Sequence, residues 1–114
     1  MSREPAKRVA DILGAIAKCE RYVRALDGDR GLAEMAEDAI EHNLQIIGEA
    51  ANHLPALIID EHPEIAWPQI RGFRNILVHQ YFGVDADVVR DVVDTHLPPL
   101  AEALRQYADG EYGR

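Results

Sequence analysis

Four polar side chains that could carry out acid–base chemistry on a phosphate lie within eight residues, in the segment R-N-I-L-V-H-Q-Y at 74–81. They are Arg74, Asn75, His79 and Tyr81, and three aliphatic residues separate Asn75 from His79. Histidine suits proton transfer because it titrates near neutral pH, and arginine offers a permanent charge with a planar fork of donors. The segment is either a helix whose exposed face happens to carry these groups, or half of a site that cleaves phosphodiesters.

RNA is the phosphodiester that such groups could cleave without a metal ion, because the ribose 2′-OH is a built-in nucleophile. Cleavage needs a base for the 2′-OH proton, an acid for the leaving 5′-oxygen, and a cation to stabilise the charge that develops on the phosphate. One arginine and one histidine meet these needs only in part, and the spacing R-x-x-x-x-H often arises by chance. Two facing copies of the segment would supply a base, an acid and two cations.

A helical projection of this segment at 100° per residue separates two faces. The predicted buried face holds Ile70, Phe73, Ile76 and Leu77, and the predicted polar arc holds Arg71, Arg74, Asn75 and His79. Arg74 and His79 lie about 140° apart on such a helix, so one rigid copy cannot easily aim both at one atom. Val78 falls within the polar arc, as a simply exposed valine or as an apolar contact across the two-fold axis of a homodimer.

The elements that must position this segment are predicted to be helices. Apolar residues recur at steps of three and four over 7–26 and 32–54, and Leu32 and Met35 begin the core face of the second helix. The other predicted elements are a short stretch from Pro55 to Ile59, a helix from Pro68 to 79–81 that stops before a Gly83 C-cap, and a helix from an Asp85 N-cap with a kink or fresh start at Pro98 and Pro99. The pattern predicts an all-α up-down bundle of four to five helices, with 1–114 as a single domain.

The charge of the chain argues against a general nucleic-acid binder, since the formal net charge is −8 over 114 residues. Residues 31–66 hold eight Asp or Glu and no Lys or Arg. An anionic ligand should therefore avoid this segment and approach Arg71 and Arg74. The acidic segment is interpreted as a solvated face, with a partner-docking surface as the alternative.

The single cysteine, Cys19, excludes an intrachain disulfide, is expected to be buried, and fits a reducing, cytoplasmic setting. Charges interrupt the first twenty residues, so no signal peptide is expected, and no apolar run approaches the roughly 20 residues of a membrane helix.

The remaining histidines and the tryptophan have simple interpretations. Glu49 and His53 are four residues apart, and two ligands on one helix are too few for a metal site, so a surface ion pair is favoured. No metal or cofactor is expected. Trp67 is predicted to plug its loop onto the core rather than stack on a base, and the isolated histidines are expected at the surface or as caps: His42, His62 and His96.

Three stretches together resemble one known family. The stretch W-P-Q-I-R-G-F-R-N-I-L-V-H-Q-Y-F-G-V-D at 67–85, with I-I-G-E-A-A at 46–51 and H-L-P-P-L at 96–100, resembles the HepT-like branch of the HEPN ribonucleases. The R-N-x-x-x-H-x-Y core is diagnostic of that family, and every position of it is present. The resemblance runs in order from the first helix to the double proline.

This resemblance implies a helical homodimer with the motif at its interface. It implies a metal-independent endoribonuclease, the toxin of a type VII toxin–antitoxin pair, that cleaves RNA by 2′-OH attack, with tRNA among the candidate substrates. Arg74 and His79 would be catalytic and Asn75 would support them. The charge distribution, rather than the resemblance, adds Arg71 as a residue expected to bind phosphate. The antitoxin would be an MntA-like minimal nucleotidyltransferase that adds AMP to Tyr81.

Two further expectations accompany the resemblance. Glu49 belongs to the family-like G-E-A stretch and is expected near the site. The alternative to an enzyme is a non-catalytic interaction module, which dimerises through the same helix and docks a nucleotidyltransferase partner.

Overall fold

The computed structural model describes residues 4–73 and 86–108, which are helical throughout apart from short connections. The elements in chain order are α1 (Glu4–Tyr22), a 3-10 helix (Val23–Asp27), α2 (Arg30–Asn52), α3 (Ala56–Glu61), α4 (Trp67–Arg71), α5 (Ala86–Asp91), a π-helical segment (Val92–His96) and α6 (Leu97–Ala108). The described ranges contain no strand. The predicted all-α bundle is confirmed.

The antiparallel pair α1–α2 forms the centre of the bundle, and α6 packs against α1. Ile12 and Ile16 of α1 and Ile40 and Ile47 of α2 are fully buried, because the helical spacing of three, four and seven places them on the facing stripes. Burial of such a side chain contributes about 1.5–3 kcal/mol. The side chain of Asp29 caps α2 by accepting a hydrogen bond from the Leu32 amide at 2.9 Å, as an N-cap residue does.

The prediction that the first turns of α2 belong to the core face is wrong. Leu32 is 46% exposed and Met35 is 70% exposed, although both continue the apolar stripe. The chain opposite them is the end of α1 and the 3-10 helix, where Tyr22 and Ala25 leave an apolar hollow beside Leu32 and Met35. The stripe therefore extends farther than the element that covers it.

The fresh start predicted at the double proline is present as the beginning of α6 at Leu97, directly after the π-helical segment. Asp91 and Leu97 keep right-handed helical dihedral angles on either side of the π-helical segment, and α6 continues through Pro98 and Pro99. Proline lacks an N–H and its ring crowds the carbonyl four residues earlier, and a π turn is a local widening that accommodates such a mismatch. Val89, Val92 and Val93 are buried, and Val88 is partly buried. The predicted caps at Gly83 and Asp85 lie outside the described residues.

The loop between α3 and α4 is fastened to α6 by a cluster of hydrogen bonds. The Tyr107 hydroxyl donates to Glu61 Oε1 at 2.6 Å and lies 2.9 Å from His62 Nε2. Trp67 is 5% exposed and its indole N–H donates to the His62 carbonyl at 2.9 Å. The predicted plug at Trp67 is confirmed, and its burial leaves no face on which a base could stack.

His62 is a correction to the prediction of a surface or capping histidine. Its side chain is only 13% exposed, and Nδ1 lies 3.3 Å from Glu64 Oε2. A backbone hydrogen bond, followed by the interaction with His62, lowers the pKa of the Glu64 carboxyl. The sequence spacing does not predict that His62 is held by Tyr107, because Tyr107 is 45 residues away.

Candidate functional site

The polar motif at 74–81 that the sequence predicts as the site lies outside the described residues. Arg74, Asn75, His79 and Tyr81 all fall between Phe73 and Ala86, where the description stops and resumes. Val78, whose place in the polar arc was left open, falls in the same gap. The structure does describe the supports on both sides of this gap, together with Arg71 and Glu49.

The first support is a close approach between α2 and α4 at Gly48. A Cβ atom on Gly48 would lie 3.0 Å from the carbonyl oxygen of Ile70, 3.5 Å from that of Arg71 and 3.8 Å from the Cβ of Phe73. Gly48 and Ile70 are both buried. The missing side chain of Gly48 therefore lets the end of α4 rest directly on α2.

The second support is the contact between Phe73 and the π-helical segment. Phe73 is 1% exposed, and its ring centroid lies 6.3 Å from that of His96, with the rings tilted by 59°. His96 is half-buried, so the expectation of a surface or capping residue is wrong. Phe73 is thereby held between α2 and the segment that leads into α6, immediately before Arg74.

The three stretches that carry the family resemblance therefore meet at one point. Gly48 belongs to I-I-G-E-A-A, Phe73 to the long stretch at 67–85, and His96 to H-L-P-P-L. Sequence reasoning missed Gly48 and His96 as positioning residues. A glycine within a strongly helical pattern was a usable signal, because such a glycine often marks a close approach of two backbones.

Arg71 is the last residue of α4 and its side chain is exposed. A cation at this position is favourable because the carboxyl end of a helix carries partial negative charge. Its charge is available to an anion in solution. Arg71 lies three residues before Arg74 in the sequence.

The predicted unbroken helix from Pro68 is wrong at Gly72. The helix α4 begins at Trp67 and ends at Arg71, and Gly72 is a turn residue whose N–H donates to the Pro68 carbonyl at 3.0 Å. Phe73 is helical again. The angular relation between Arg71 and the later motif residues therefore does not follow from an ideal helix.

Glu49 lies on the exposed side of α2, next to Gly48. Its Oε1 is 3.4 Å from His53 Nε2, and both side chains are more than half exposed. The predicted surface pair between Glu49 and His53 is confirmed. Among residues 4–73 and 86–108 there is no group of three or more His, Cys, Asp or Glu side chains placed to hold a metal ion.

None of the helices within the described ranges combines the length and apolar character needed to cross a bilayer.

The fold and these supports define a small all-α protein in which a short polar motif follows, along the sequence, the packed end of α4. Comparison with known families gives a match over most of the chain. The model of the family described as "Ribonuclease HepT-like" matches residues 12–107. The chain belongs to the HepT-like ribonuclease family.

Individual relatives agree with this assignment. The chain is 34% identical over 101 residues to a protein of Thermococcus cleftensis named "Probable ribonuclease HepT", covering 88% of this chain and 92% of the relative. It is 32% identical over 73 residues to "Putative RNase TTE0752" of Caldanaerobacter subterraneus, covering 64% and 65%.

A longer relative carries a second named activity. The chain is 32% identical over 94 residues to "Gamma-glutamylcyclotransferase and putative RNase MJ0434" of Methanocaldococcus jannaschii, covering 82% of this chain and 42% of that protein. The chain therefore spans less than two thirds of the length of two of these three relatives. No solved structure gives a significant match.

Proposed function

We propose that this protein is a metal-independent endoribonuclease that acts as a homodimer, with R-N-x-x-x-H-x-Y at 74–81 as its cleavage site. The observation that carries the proposal is the meeting of Gly48, Phe73 and His96 directly before Arg74. A catalytic group needs such packing on rigid helices, because a small displacement of the group lowers the reaction rate strongly. The membership of the HepT-like ribonuclease family supports the same reaction.

The proposed step is an attack of the ribose 2′-oxygen on the adjacent phosphorus. The 2′-O–P bond forms while the P–O5′ bond breaks, which leaves a 2′,3′-cyclic phosphate on one product and a 5′-hydroxyl on the other. His79 of one copy removes the 2′-OH proton and His79 of the other protonates the departing 5′-oxygen. Arg74 from each copy stabilises the charge on the phosphate, and Asn75 orients these groups or donates to phosphate.

Residues near the motif have supporting roles in this proposal. Arg71 is exposed at the end of α4 and binds a neighbouring phosphate of the RNA. Glu49 lies beside the contact of α2 with α4 and is close to the site without taking part in the chemistry. The reaction uses no cofactor.

We further propose that the protein is the toxin of a toxin–antitoxin pair in the cytoplasm. Its antitoxin is a minimal nucleotidyltransferase of the MntA type that transfers AMP to the Tyr81 hydroxyl. The added phosphate places negative charge two residues from His79, where it competes with the RNA for the arginines. The substrate is an RNA, with tRNA as one candidate.

The direct test compares an all-ribose oligonucleotide with the same sequence carrying one 2′-deoxy residue at the cleaved position. The purified protein should cut the first and not the second, with equal rates in EDTA and in added Mg²⁺, and should leave DNA intact. Cleavage of the deoxy substrate, or loss of cleavage on chelation, would remove this mechanism.

A non-catalytic interaction module is the second candidate. It is favoured by the exposed acids of α2 and α3, which suit a basic protein partner better than RNA: Glu34, Asp38, Glu49, Asp60 and Glu61. A pure protein that never cuts RNA, yet accepts AMP on Tyr81 from a nucleotidyltransferase partner, would select this candidate.

A further inference from the structure

The exposed side of α1 combines basic residues with small residues, and it is called the α1 basic face below. Lys7, Gly14, Lys18 and Arg21 follow one another at steps of seven, four and three, so they share one side of the helix. All four residues are exposed. Among the described residues, neither Lys7 nor Lys18 has an ion-pair partner. Their charges are therefore available to an anion in solution.

The other charged residues of α1 neutralise this face only in part. Asp11 lies on the same side, four residues after Lys7. Arg8 is directed to the seam with α2, and its Nη2 lies 2.7 Å from Glu4 Oε1, so this pair adds no net charge. Glu20 lies on another side of the helix, facing the π-helical segment. The α1 basic face therefore carries three positive charges against one negative charge.

The neighbouring surface of α2 has the opposite sign. Glu34, Asp38 and Glu49 are exposed on α2, and residues 31–66 contain no Lys or Arg. Glu34 lies 3.8 Å from Arg30, in a loose pair whose side chains are both largely exposed. A polyanion is repelled by this surface and attracted by the α1 basic face. Its favourable position is therefore along α1 rather than across both helices.

Small residues occupy the middle of the α1 basic face. A Cβ on Gly14 would have no described heavy atom within 4 Å, and Ala10 and Ala17 are exposed at steps of four and three from it. A sugar–phosphate backbone can therefore come close to the helix between the two lysines. Lys7 and Lys18 are eleven residues apart, which is about 16 Å along the helix.

The apolar hollow between α1 and α2 adjoins the Arg21 end of this face. It is lined only by apolar atoms, including those of Tyr22 and Met35, and its volume is about 210 Å³. Met35 is 70% exposed, and the guanidinium carbon of Arg21 lies 5.7 Å from the centroid of the Tyr22 ring. A tyrosine ring beside an arginine suits a nucleobase, because every base has a π face that stacks on aromatic rings and guanidinium groups.

A line of cations that ends beside an apolar hollow fits a single strand better than a duplex. Proteins hold single strands by combining a positively charged track for the phosphates with aromatic surfaces for the bases. A duplex keeps its bases stacked inside and would contact the cations alone. With its base in the hollow, a single strand keeps its phosphates on the α1 side, away from Glu34 and Asp38.

We propose that a single-stranded segment of RNA lies along the α1 basic face, with its phosphates against Lys7, Lys18 and Arg21 and one base in the apolar hollow beside Tyr22. The proposal rests on the proposed function, which supplies the RNA. It adds a surface outside the motif that holds the substrate.

This placement directs the RNA along the bundle. Arg8 of α1 and Glu49 of α2 line one hollow, and the neighbouring Gly48 is the residue on which the end of α4 rests. The Lys7 end of the α1 basic face therefore lies at the same end of the bundle as the contact between α2 and α4. An RNA strand that starts in the apolar hollow runs toward that contact.

The first experiment measures binding by fluorescence anisotropy with a labelled RNA of about 12 nucleotides whose 2′-hydroxyls are all methylated. This strand has no free 2′-OH to attack the phosphate, so binding is separated from cleavage. Lys18→Gln and Arg21→Gln should each weaken binding about fivefold in about 0.1 M salt. Each should also reduce the slope of log affinity against log salt by about 0.7, the value for one phosphate contact of a single strand.

Arg105→Gln is the matched control for these charge changes. It removes the same charge from an exposed side chain of α6, which lies off the α1 basic face. Its affinity and salt slope should equal those of the wild type, because the net charge alone does not hold the strand. Circular dichroism confirms that the variants keep the helical content of the wild type.

The second experiment fills the apolar hollow without altering any charge. Ala39 lines the hollow, and Ala39→Leu should weaken binding at least about fivefold, because stacking of one base contributes about 1–3 kcal/mol. Its salt slope should stay that of the wild type. The same strand without bases should bind Ala39→Leu and the wild type equally. Ala56→Leu, at an exposed alanine of α3, is the matched control and should bind as the wild type does.

Three results would overturn this surface. They are a wild type without affinity for the methylated strand, Lys18→Gln and Arg21→Gln variants that bind as tightly as Arg105→Gln, and an Ala39→Leu variant that binds as the wild type does. If Ala39→Leu keeps RNA binding and instead loses binding to a nucleotidyltransferase, the hollow belongs to a protein partner.

The failure of the binding surface is distinguishable from the failure of the proposed function. A protein that binds the methylated strand as expected, yet never cuts unmodified RNA, would overturn the nuclease and support this surface. A protein that cuts RNA, and whose affinity ignores Lys18→Gln, Arg21→Gln and Ala39→Leu, would do the opposite.

Discussion

Gly48 and Ile70 approach so closely that a Cβ on Gly48 would lie 3.0 Å from the Ile70 carbonyl oxygen. This contact joins the middle of the bundle to the last turn of α4, and Ile70 lies four residues before Arg74, where the polar motif begins. The contact is between backbones, so neither side can relieve a clash by changing a rotamer. Its geometry therefore sets where the motif starts.

Gly48→Ala tests this positioning role. Alanine favours the helical state of α2 by about 1 kcal/mol, and the displacement of α4 by the new methyl opposes that gain. We expect stability within about 1 kcal/mol of the wild type in urea unfolding, but a fall in RNA cleavage. Gly31→Ala is the matched control, because a Cβ there meets nothing closer than Asp29 Oδ1 at 3.7 Å. Equal activity of the two variants would contradict the role given to Gly48.

Arg74→Ala and His79→Ala should each lower the cleavage rate by at least about 100-fold, since each removes a charge or a proton carrier from the reacting phosphate. The rate is measured by single-turnover cleavage of a labelled oligonucleotide. Arg105→Ala and His53→Ala are the matched controls, because Arg105 is exposed on α6 and His53 is exposed in the turn after α2, and each pairs with a nearby glutamate. Activity retained by either motif variant would place the chemistry elsewhere.

Tyr81→Phe should keep RNA cleavage but remove its inhibition by the antitoxin. The phenylalanine lacks the hydroxyl that accepts AMP, so the variant incubated with the nucleotidyltransferase and ATP should gain no mass and should go on cutting RNA. The wild type under the same conditions should gain one AMP and stop. AMP found on another residue of the variant by mass spectrometry would refute this assignment.

Tyr107→Phe should destabilise the protein by about 1–2 kcal/mol in urea unfolding. The change removes a part-buried hydroxyl that donates to Glu61 at 2.6 Å and lies 2.9 Å from His62 Nε2, so both interactions are lost. A double-mutant cycle with Glu61→Gln isolates the pairwise part. A coupling energy of zero would show that the hydroxyl does not hold the α3–α4 loop.

The burial of Cys19 predicts a loss of stability at alkaline pH. Desolvation, with a smaller contribution from Glu20, raises the pKa of the thiol from 9.0 to about 12. The unfolded chain releases this proton from about pH 9 upward while the native chain retains it to about pH 12, so stability falls with rising pH across that window. At pH 10 the loss is about 1.4 kcal/mol relative to pH 8.

Cys19→Ala is the comparison for this effect. The variant should lack this part of the pH dependence, whatever its stability at pH 8, because it has no thiol to titrate. Identical slopes for the wild type and the variant between pH 8 and pH 10 would contradict the raised pKa of Cys19.

The burial of the apolar stripe on α2 shows which core residues a local sequence pattern can predict. Ile40 and Ile47 belong to the apolar stripe that helical spacing predicted over 32–54, and both are buried, because an amphipathic helix must direct its apolar stripe inward. The same rule failed at Met35, which is 70% exposed. A stripe encodes which residues prefer to be covered, whereas the length of the opposing element decides which of them are covered.

The amino-acid sequence by itself determined the helical class, the main core positions, the plug at Trp67 and the motif at 74–81 with its family, since these depend on residue types and on spacings within one or two turns. Only the tertiary structure decided that Gly48, Phe73 and His96 meet, that His62 is held by Tyr107, and that Met35 is left exposed. Those contacts join residues 23 to 45 positions apart, and spacing along a chain carries no information about such pairs until the helices have packed.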